Sequence, residues 1–255
     1  MLGAIAGDVI GSVFEWSNVK DVRFPLFCPE STFTDDTVLT VAVADAFLNG
    51  KDYSAFIRRY ARAYPNRGYG GRFREWMGSD VAGPYNSLGN GSAMRVSPVA
   101  WPLDSEATVL AEARATAVVT HDHPEGIKGA QAVALAIFLA RTTRDKALIK
   151  RRISTDFGYD LSRSVAAIRP EYRFDETCPG SVPDALIAFL ESSSFEDAIR
   201  LSISLGGDSD TLACITGSVA EAYYGGVPAP IRSEVLKRLP APFITILDSF
   251  PYRSL

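Results

Sequence analysis

Two short acidic clusters, about 170 residues apart, repeat one arrangement of side chains. The first covers residues 33–37 and the second residues 206–211, and each places two aspartates and a threonine before an apolar stretch with helical spacing. One polar residue satisfies a helix start and stabilises it by about 1 kcal/mol, so a second carboxylate adds repulsion that capping does not require. Bound cations would remove that repulsion, and we therefore favour metal binding over capping alone.

The ligand atoms of the two clusters predict the kind of metal. All are carboxylate or hydroxyl oxygens, which favours Mg²⁺, Mn²⁺ or Ca²⁺ over zinc or copper. The second cluster does not begin an EF-hand, because Ala213 and Val219 stand where that loop needs glycine and glutamate. Two cations about 3.5–4 Å apart would activate a water molecule and hold substrate oxygens. The candidate ligands are Thr34, Asp35, Asp36, Asp208, Asp210 and Thr211.

A glycine-rich segment, residues 88–95, predicts a turn that leads into a helix. Its glycines allow a ligand to approach the main chain, and successive N–H groups at a helix start can hold an anion. Arg95 would add a positive charge here. The segment lacks the Gly-Lys-Ser/Thr ending of a Walker loop. Phosphate binding and an ordinary glycine-rich turn therefore remain equal alternatives on composition alone.

Three further sets of side chains leave two interpretations open. Glu15 would extend the acidic set, but an isolated glutamate is more often a solvated surface residue. The two histidines, His121 and His123, lie together, yet no cysteine or third histidine is near enough in sequence to complete a zinc site, and capping or hydrogen-bonding roles fit equally well. Aromatic residues near the glycine-rich loops could stack on a base or ribose, although such residues more often belong to the core. They are Tyr69, Phe73, Trp76 and Tyr85.

The composition is that of an ordinary globular protein, with 47% of the 255 residues apolar and 22% charged. The formal net charge of -4 gives no electrostatic signature of binding to nucleic acid or to an anionic membrane. Asp8 and Glu15 interrupt the apolar N-terminal stretch, which also lacks a basic region, so we expect neither a secretory signal nor a membrane span. Three widely spaced cysteines favour a reducing, cytoplasmic location.

Helical periodicity dominates the chain and no stretch alternates convincingly with a period of two, so we predict an all-α fold of roughly ten or more helices in one domain over residues 1–255. Gly3, Gly7 and Gly11 predict close packing of the first helix on a neighbour. The glycine-rich connections 64–71 and 83–91 are too long for simple connectors, which favours a binding role. After a first helix ending at Glu15, the predicted helices are residues 35–47, 54–64, 106–120, 126–142, 146–155, 160–168, 184–191, 195–205, 211–224 and 230–239.

Five short segments, taken together and in order, carry a family resemblance. They are residues 3–15 (Gly-Ala-Ile-Ala-Gly-Asp-x-x-Gly-Ser-x-x-Glu), 33–37 (Phe-Thr-Asp-Asp-Thr), 89–95 (Gly-Asn-Gly-Ser-Ala-Met-Arg), 120–121 (Thr-His) and 206–211 (Gly-Gly-Asp-Ser-Asp-Thr). Each segment alone is weak, but together they resemble the ADP-ribosylglycohydrolase family, which includes the dinitrogenase-reductase-activating glycohydrolases. The resemblance covers nearly the whole chain and implies a single compact, orthogonal all-α domain around a central binuclear Mg²⁺ or Mn²⁺ site.

The resemblance also implies roles for individual residues. The first acidic cluster would bind one face of a metal pair and the second cluster the other face, with a glutamate above the site. The glycine-rich segment would hold the diphosphate of ADP-ribose. The implied metal ligands are Thr34, Asp35, Asp36, Asp208, Asp210 and Thr211, and the implied ligand contacts are Glu15, Gly89, Asn90, Gly91, Ser92, Ala93, Met94, Arg95, His121 and Tyr69.

The activity implied by the resemblance is metal-dependent hydrolysis of an ADP-ribosyl bond at ribose C1″, with Asp35 or Glu15 handling the proton. The expected partner is ADP-ribose or an ADP-ribosylated substrate, and nucleic acid is expected only as an ADP-ribosylated conjugate. A monomer with no membrane attachment is the default. Two alternatives remain, an inactive ADP-ribose-binding protein and a two-metal nucleotide phosphohydrolase. The linkage that is cut does not follow from the sequence.

Overall fold

The computed structural model describes residues 1–252. Within these residues the chain forms fourteen α-helices, one short 3₁₀ helix and no β-strand, which confirms the all-α prediction. The buried apolar side chains form one continuous cluster. The helices are α1 (Leu2–Gly11), α2 (Asp35–Leu48), α3 (Tyr53–Ala63), α4 (Gly71–Gly78), α5 (Gly91–Met94), the 3₁₀ helix (Ser97–Ala100), α6 (Glu106–Ala117), α7 (Pro124–Thr143), α8 (Lys146–Phe157), α9 (Val165–Ile168), α10 (Cys178–Glu191), α11 (Phe195–Ile203), α12 (Ser209–Tyr224), α13 (Ala229–Leu236) and α14 (Ala241–Ser249).

The glycine stripe of α1 packs directly on the main chain of α12. A Cβ atom on Gly7 would lie 1.9 Å from the carbonyl oxygen of Ala213, and one on Gly11 would lie 2.6 Å from Cα of Asp210. Real Cβ atoms do not approach other atoms this closely, so only glycine fits at these positions. The predicted close packing is confirmed, and it brings Asp8 of α1 to the start of α12.

Helix α2 begins at the first acidic cluster and then passes through the core. Thr34 is its N-cap and accepts a hydrogen bond from the N–H group of Asp36 at 3.3 Å. Asp35 and Asp36 occupy the first turn, where negative charge is favoured by the helix dipole. Every residue from Asp36 to Ala46 is buried, so the helix start is held rigidly.

Helix α12 begins at the second acidic cluster and is also buried from Ser209 to Ala222. Gly206 and Gly207 precede it with φ angles of +74° and +67°. These left-handed conformations favour glycine because it has no Cβ atom. The two glycines therefore turn the chain from α11 into α12 and orient Asp208 and Asp210.

Several predicted helix boundaries are wrong, and two of the helices are shorter in an instructive way. The first helix ends at Gly11 rather than Glu15, so Glu15 lies in the following turn. The predicted helix over residues 160–168 forms only at Val165–Ile168. Asp160 accepts a hydrogen bond from the N–H group of Ser162 at 2.9 Å, and this local turn competes with the helix.

Two helices, α4 and α14, and the 3₁₀ helix were not predicted, and α10 begins six residues earlier than expected. Helix α5, expected after the glycine-rich turn, is only four residues long. Helix α4 starts at a glycine and is short, so its composition is typical of a loop. In α10 the N-cap is Thr177, and prolines near the start made the segment resemble a connection. Helix α14 buries Phe243 and Leu247 at a spacing of four, a signal that could have revealed it.

None of the helices in residues 1–252 combines the length and apolar character needed to cross a membrane. The thiols of Cys28, Cys178 and Cys214 are free, as expected for a chain without a disulfide framework.

Candidate metal centre and ligand cavity

Five carboxylates from three segments form two overlapping groups at the junction of α1, α2 and α12. Asp8, Asp36 and Asp210 form one group, and Glu15, Asp208 and Asp210 form the other. In each group the oxygens that could bind a metal lie within 4.8 Å of one another. Asp210 belongs to both groups, so the two acidic clusters of the sequence meet as predicted.

Asp8 is the member of this site that sequence reasoning missed. Its carboxylate is fully buried and accepts hydrogen bonds from the Thr34 hydroxyl at 2.7 Å and from the Thr34 N–H at 3.0 Å. The N–H group of Thr37 donates to it at 3.1 Å, and the Thr37 hydroxyl also donates. The available signal was a single aspartate in an otherwise apolar first helix. A charge buried in such a helix needs hydrogen-bond donors from elsewhere in the fold. Asp8 therefore ties α1 to the start of α2.

The carboxylates raise one another's pKa values. Burial is the main cause of pKa values well above the usual range for Asp35, Asp36 and Asp210, and neighbouring carboxylates add to it. Burial also raises the pKa of Asp208 to about 6. Burial and the charge of Asp210 raise the pKa of Glu15 to about 7. The protein alone thus concentrates negative charge that bound cations would neutralise.

The donor set fits divalent cations that prefer oxygen. Asp36 is 1% exposed, its Oδ2 atom has no hydrogen-bond partner within residues 1–252, and its Oδ1 accepts from the Thr211 hydroxyl at 3.3 Å. A buried carboxylate oxygen without a donor is costly unless a cation meets it. With only carboxylate and hydroxyl oxygens converging, the residues suit Mg²⁺ or Mn²⁺.

A cavity of about 420 Å³ opens beside these carboxylates. Glu15, Asp35, Asp208, Asp210 and Thr211 line it on one side, which we call the carboxylate half. The other side, the loop half, is formed by the glycine-rich segment and by side chains from α4 and the segments before α5 and α7. Its lining residues are Arg72, Tyr85, Ser87, Gly89, Asn90, Gly91, Met94, Arg95 and His121.

Asn90 joins the two halves. Its side-chain N–H group donates to Asp208 Oδ2 at 2.7 Å and to the hydroxyl of Ser181 at 3.0 Å. Its main-chain N–H group donates to the carbonyl of Glu176 at 2.7 Å, and the neighbouring Gly89 N–H donates to Ser87. These two N–H groups already have acceptors in the protein. In α5 the N–H groups of Ala93 and Met94 donate to the carbonyl of Asn90 at 2.8 and 3.0 Å. The predicted anion cradle is therefore reduced to the N–H groups of Gly91 and Ser92 at the start of α5.

Arg95 and His121 are buried polar side chains on the wall of the loop half. Arg95 donates from Nη2 to the carbonyl of Thr116 at 2.9 Å and to the hydroxyl of Thr120 at 2.8 Å, while its Nε and Nη1 atoms have no partner among the described residues. Burial lowers the pKa of Arg95 to about 10, so it remains charged at neutral pH. Burial, followed by the charges of Arg95 and Arg72, lowers the pKa of His121 well below its usual value.

Several predicted ligand contacts lie elsewhere. Tyr69 is 1% exposed and stacks on Phe73 at 5.2 Å between ring centroids, so its side chain belongs to the core and is not on the cavity wall. Ser92 is buried with its hydroxyl donating to the carbonyl of Gly126 at 2.7 Å, and the Ala93 side chain is buried in the core. Helix α5 turns both side chains away from the cavity, so only their main-chain atoms could meet a ligand.

Three further candidate residues, Thr34, Asp36 and His123, lie outside the lining of the cavity. The Thr34 hydroxyl is engaged with Asp8 and with the Asp36 N–H group, so it orients carboxylates instead of lining the cavity. Asp36 lies beneath the cavity wall. His123 caps α7 by accepting from the N–H group of Glu125 at 3.1 Å, which agrees with the capping alternative.

The cavity contains wall residues that the sequence reasoning did not select. Arg72 lies with its guanidinium 5.0 Å from the ring centroid of Tyr85, and both line the loop half. Tyr85 had been considered only as one of four ambiguous aromatic residues. Trp16 and Phe174 line the opposite edge of the cavity. Arginine in a short, glycine-flanked helix was a weak signal, and nothing in the sequence linked Trp16 to Phe174.

The comparisons with known proteins agree with this architecture. A sequence profile described as ADP-ribosylglycohydrolase matches residues 1–247. A solved structure titled "ADP-ribosylglycohydrolase-related protein complex" superimposes with a TM-score of 0.72 at 25% sequence identity, covering 98% of this chain and 96% of that chain. The chain belongs to the ADP-ribosylglycohydrolase family.

Two curated relatives show where the chain lies within that family. ADP-ribosylhydrolase ARH3 of Gallus gallus is 27% identical over 90% of this chain and 85% of the relative. ADP-ribosylarginine hydrolase Tri1 of Pseudomonas putida is 26% identical over 89% of this chain and 71% of the relative. The two identities are nearly equal, so similarity does not choose between the activities that their names describe.

Proposed function

We propose that this protein is a metal-dependent hydrolase that releases ADP-ribose from an ADP-ribosylated protein or small molecule by cleavage at ribose C1″. The observation that carries the proposal is the meeting of two carboxylate groups at one edge of a cavity whose other edge is glycine-rich and cationic. Such a cavity offers metal ligands at one end and anion contacts at the other. The family membership and the names of the relatives support the same conclusion.

The proposed cofactors are two Mg²⁺ or Mn²⁺ ions. When bound, they would supply a water molecule of lowered pKa and fixed positions for the hydroxyls of the distal ribose. Asp8 fixes the start of α2 by accepting hydrogen bonds from Thr34 and Thr37. Asn90 fixes the carboxylate of Asp208 by donating a hydrogen bond to it. The proposed metal ligands are Thr34, Asp35, Asp36, Asp208, Asp210 and Thr211, to which we add Asp8 and Glu15.

The chain's own residues would orient the substrate and move the proton. Asp35 and Glu15 line the cavity and are only half-buried, so either can accept a proton from an attacking water. Arg95 would place its unpartnered Nε and Nη1 donors near the diphosphate. His121, neutral because its pKa is lowered, would contribute hydrogen bonding without charge. We further propose a cytoplasmic, monomeric enzyme with a single domain over residues 1–255.

The test is release of ADP-ribose from arginine-, serine- and acetyl-linked conjugates with Mg²⁺, with Mn²⁺ and with EDTA. We expect intact ADP-ribose from at least one conjugate, and only when metal is present. Tight binding of ADP-ribose without release from any conjugate would instead indicate an inactive binding protein. Release of phosphate or AMP would indicate a nucleotide phosphohydrolase, so the identity of the product separates the three possibilities.

A further inference from the structure

An exposed pair of stacked aromatic rings stands at the edge of the cavity. Trp16, in the turn after α1, is 81% exposed, and Phe174, in the segment before α10, is 44% exposed. Their ring centroids lie 5.3 Å apart with an angle of 20° between the planes, and both residues line the cavity. Only five large apolar side chains are exposed within residues 1–252, so an aromatic stack at this point is unusual for a protein surface.

The pair lies at the carboxylate half of the cavity. Trp16 directly follows Glu15, whose carboxylate is grouped with Asp208 and Asp210. The positive charge of the cavity is concentrated in the loop half, where Arg72 is the exposed cation. An ADP-ribosyl group with its distal ribose at the carboxylates and its diphosphate at the loop would direct the bond at C1″ towards Glu15 and Trp16.

We propose that Trp16 and Phe174 form the subsite for the leaving group and make the enzyme selective for a planar, positively charged one, such as a guanidinium group. This inference rests on the proposed hydrolase function. In the reaction, the oxygen of water forms a bond with C1″ and the bond from C1″ to the guanidino nitrogen breaks. One proton of the water ends on that nitrogen, which gives ADP-ribose and the free guanidinium group.

Two physical features favour a planar cation at this position. One face of the Trp16 indole is covered by Phe174, while its high exposure leaves the other face open to a ligand. A guanidinium stacks on an indole face, and such contacts strengthen binding by about three- to thirtyfold. A serine hydroxyl or an acetate offers no cation and no extended planar surface to the indole.

The charge of the site acts in the same direction. The five carboxylates of the two candidate metal groups and the carboxylate of Asp35 lie at this end of the cavity. Two divalent cations would offset four of these six negative charges. The remaining negative charge attracts a cationic leaving group and does not attract a neutral one.

The experiment compares two substrates across four variants. The substrates are peptides of one sequence that carry ADP-ribose on arginine or on serine. Trp16→Ala and Phe174→Ala remove one ring each, whereas Trp16→Phe keeps a ring and removes the indole N–H group, which favours the charged form of Glu15 and lowers the pKa of that carboxyl. Val81→Ala is the matched control, since Val81 is 94% exposed and is not part of the cavity wall.

We expect Trp16→Ala to lower kcat/KM about tenfold or more for the arginine conjugate and no more than about threefold for the serine conjugate. Trp16→Phe should keep most of the preference for arginine, which distinguishes stacking on the ring from an effect of the indole N–H group on Glu15. Phe174→Ala should give an intermediate loss. Equal losses on both conjugates, or a wild-type preference for serine, would overturn the proposal.

A binding measurement separates failure of the subsite from failure of the proposed function. If the wild-type protein hydrolyses neither conjugate, the proposed function fails, and calorimetric titration then tests the subsite directly. The subsite predicts that wild-type protein binds the arginine conjugate more tightly than ADP-ribose alone and that Trp16→Ala abolishes this difference. An unchanged difference in Trp16→Ala would exclude the aromatic pair as the leaving-group site.

Discussion

The two halves of the cavity are built in different ways. Most side chains of the carboxylate half project from the starts of the buried helices α2 and α12. Asp8, which joins them from α1, is held by four donors from Thr34 and Thr37. The loop half depends on main-chain contacts between distant segments, such as the Asn90 N–H group with the carbonyl of Glu176. The difference teaches that local sequence specifies the charges of the site, whereas tertiary contacts specify the shape of the ligand cavity.

The sharpest way to test the role of the carboxylate half is to remove the charge of Asp35, which lines it, together with that of Asp36 beneath it. We expect the double variant Asp35→Asn, Asp36→Asn to lose at least about a thousandfold in kcat, because metal ligands and a proton acceptor disappear together. Its fold should persist, since the raised pKa values of these carboxylates show that their charges oppose burial.

Thermal unfolding with and without Mn²⁺ provides the second measurement on the same variant. The wild-type Tm should rise with Mn²⁺, and the Tm of the double variant should not, because bound ions stabilise only the state that binds them. Normal turnover by the double variant would disprove the metal-site assignment. A Tm of the double variant far below that of the wild-type protein, both without metal, would show that these charges support the fold.

The parts of the site that were predictable are those that lie in short stretches of sequence. The aspartates of both clusters were recognised because adjacent carboxylates at a helix start have no structural need. Asp8 was missed because its partners, Thr34 and Thr37, follow about 26 to 29 residues later, which no local pattern reveals. Tyr69 was assigned to the ligand by the family resemblance, whereas its residue type favoured the core, where its ring stacks on Phe73.

The helices, too, were predictable only where the local sequence specifies them. Long periodic helices such as α7 and α12 follow from apolar spacing, whereas α4 and α5 begin with glycine and depend on the surrounding structure. The predicted cradle of N–H groups in residues 88–95 was also incomplete, since Gly89 and Asn90 use theirs within the protein. Competition between ligand and protein for one donor cannot be read from composition.

A second prediction disturbs the carboxylate half without changing a carboxylate. Gly7→Ala should destabilise the protein by about 3 kcal/mol or more, because the new Cβ atom would lie 1.9 Å from the carbonyl oxygen of Ala213 and force α1 from α12. Gly78→Ala is the matched control, a helical glycine whose added Cβ would have no atom of residues 1–252 within 4 Å. Urea unfolding of both variants gives the comparison, and equal stabilities would contradict the close packing of α1 on α12.

A third prediction changes the loop half alone. Arg95→Met should weaken ADP-ribose binding about tenfold or more, because charged donors facing the ligand are lost. The rise in Tm with Mn²⁺ should remain, since the hydrogen bonds of Arg95 within the described residues go to Thr116 and Thr120 and not to the carboxylates. Calorimetric titration with ADP-ribose and thermal unfolding with Mn²⁺ measure the two effects. Loss of both would mean that the halves of the cavity are not independent.

The smallest expected effect concerns the response of each half to acid. The raised pKa values of Asp35 and Asp36 mean that, without metal, their unfavourable contribution to stability is relieved as the pH falls. His121 acts in the opposite direction. Its pKa in the folded protein lies well below the value of about 6.5 expected for the unfolded chain, so below that pH only the unfolded chain takes up the proton. Its contribution to stability is complete above about pH 6.5 and declines as the pH falls further.

Through His121 the wild-type protein should therefore lose at most about 1.4 kcal/mol of its free energy of unfolding per pH unit below pH 6.5. The variant His121→Asn should not show this loss. Urea unfolding of wild-type and variant proteins at pH 7.5 and pH 5.5, both without metal, measures this difference, and the carboxylates cancel because both proteins contain them. We expect the free energy of unfolding of the variant, relative to that of the wild-type protein, to be higher at pH 5.5 than at pH 7.5. If the difference in free energy of unfolding between the two proteins is the same at both pH values, His121 takes up its proton in the folded protein as well. The loop half would then carry a second cation beside Arg95 for the diphosphate.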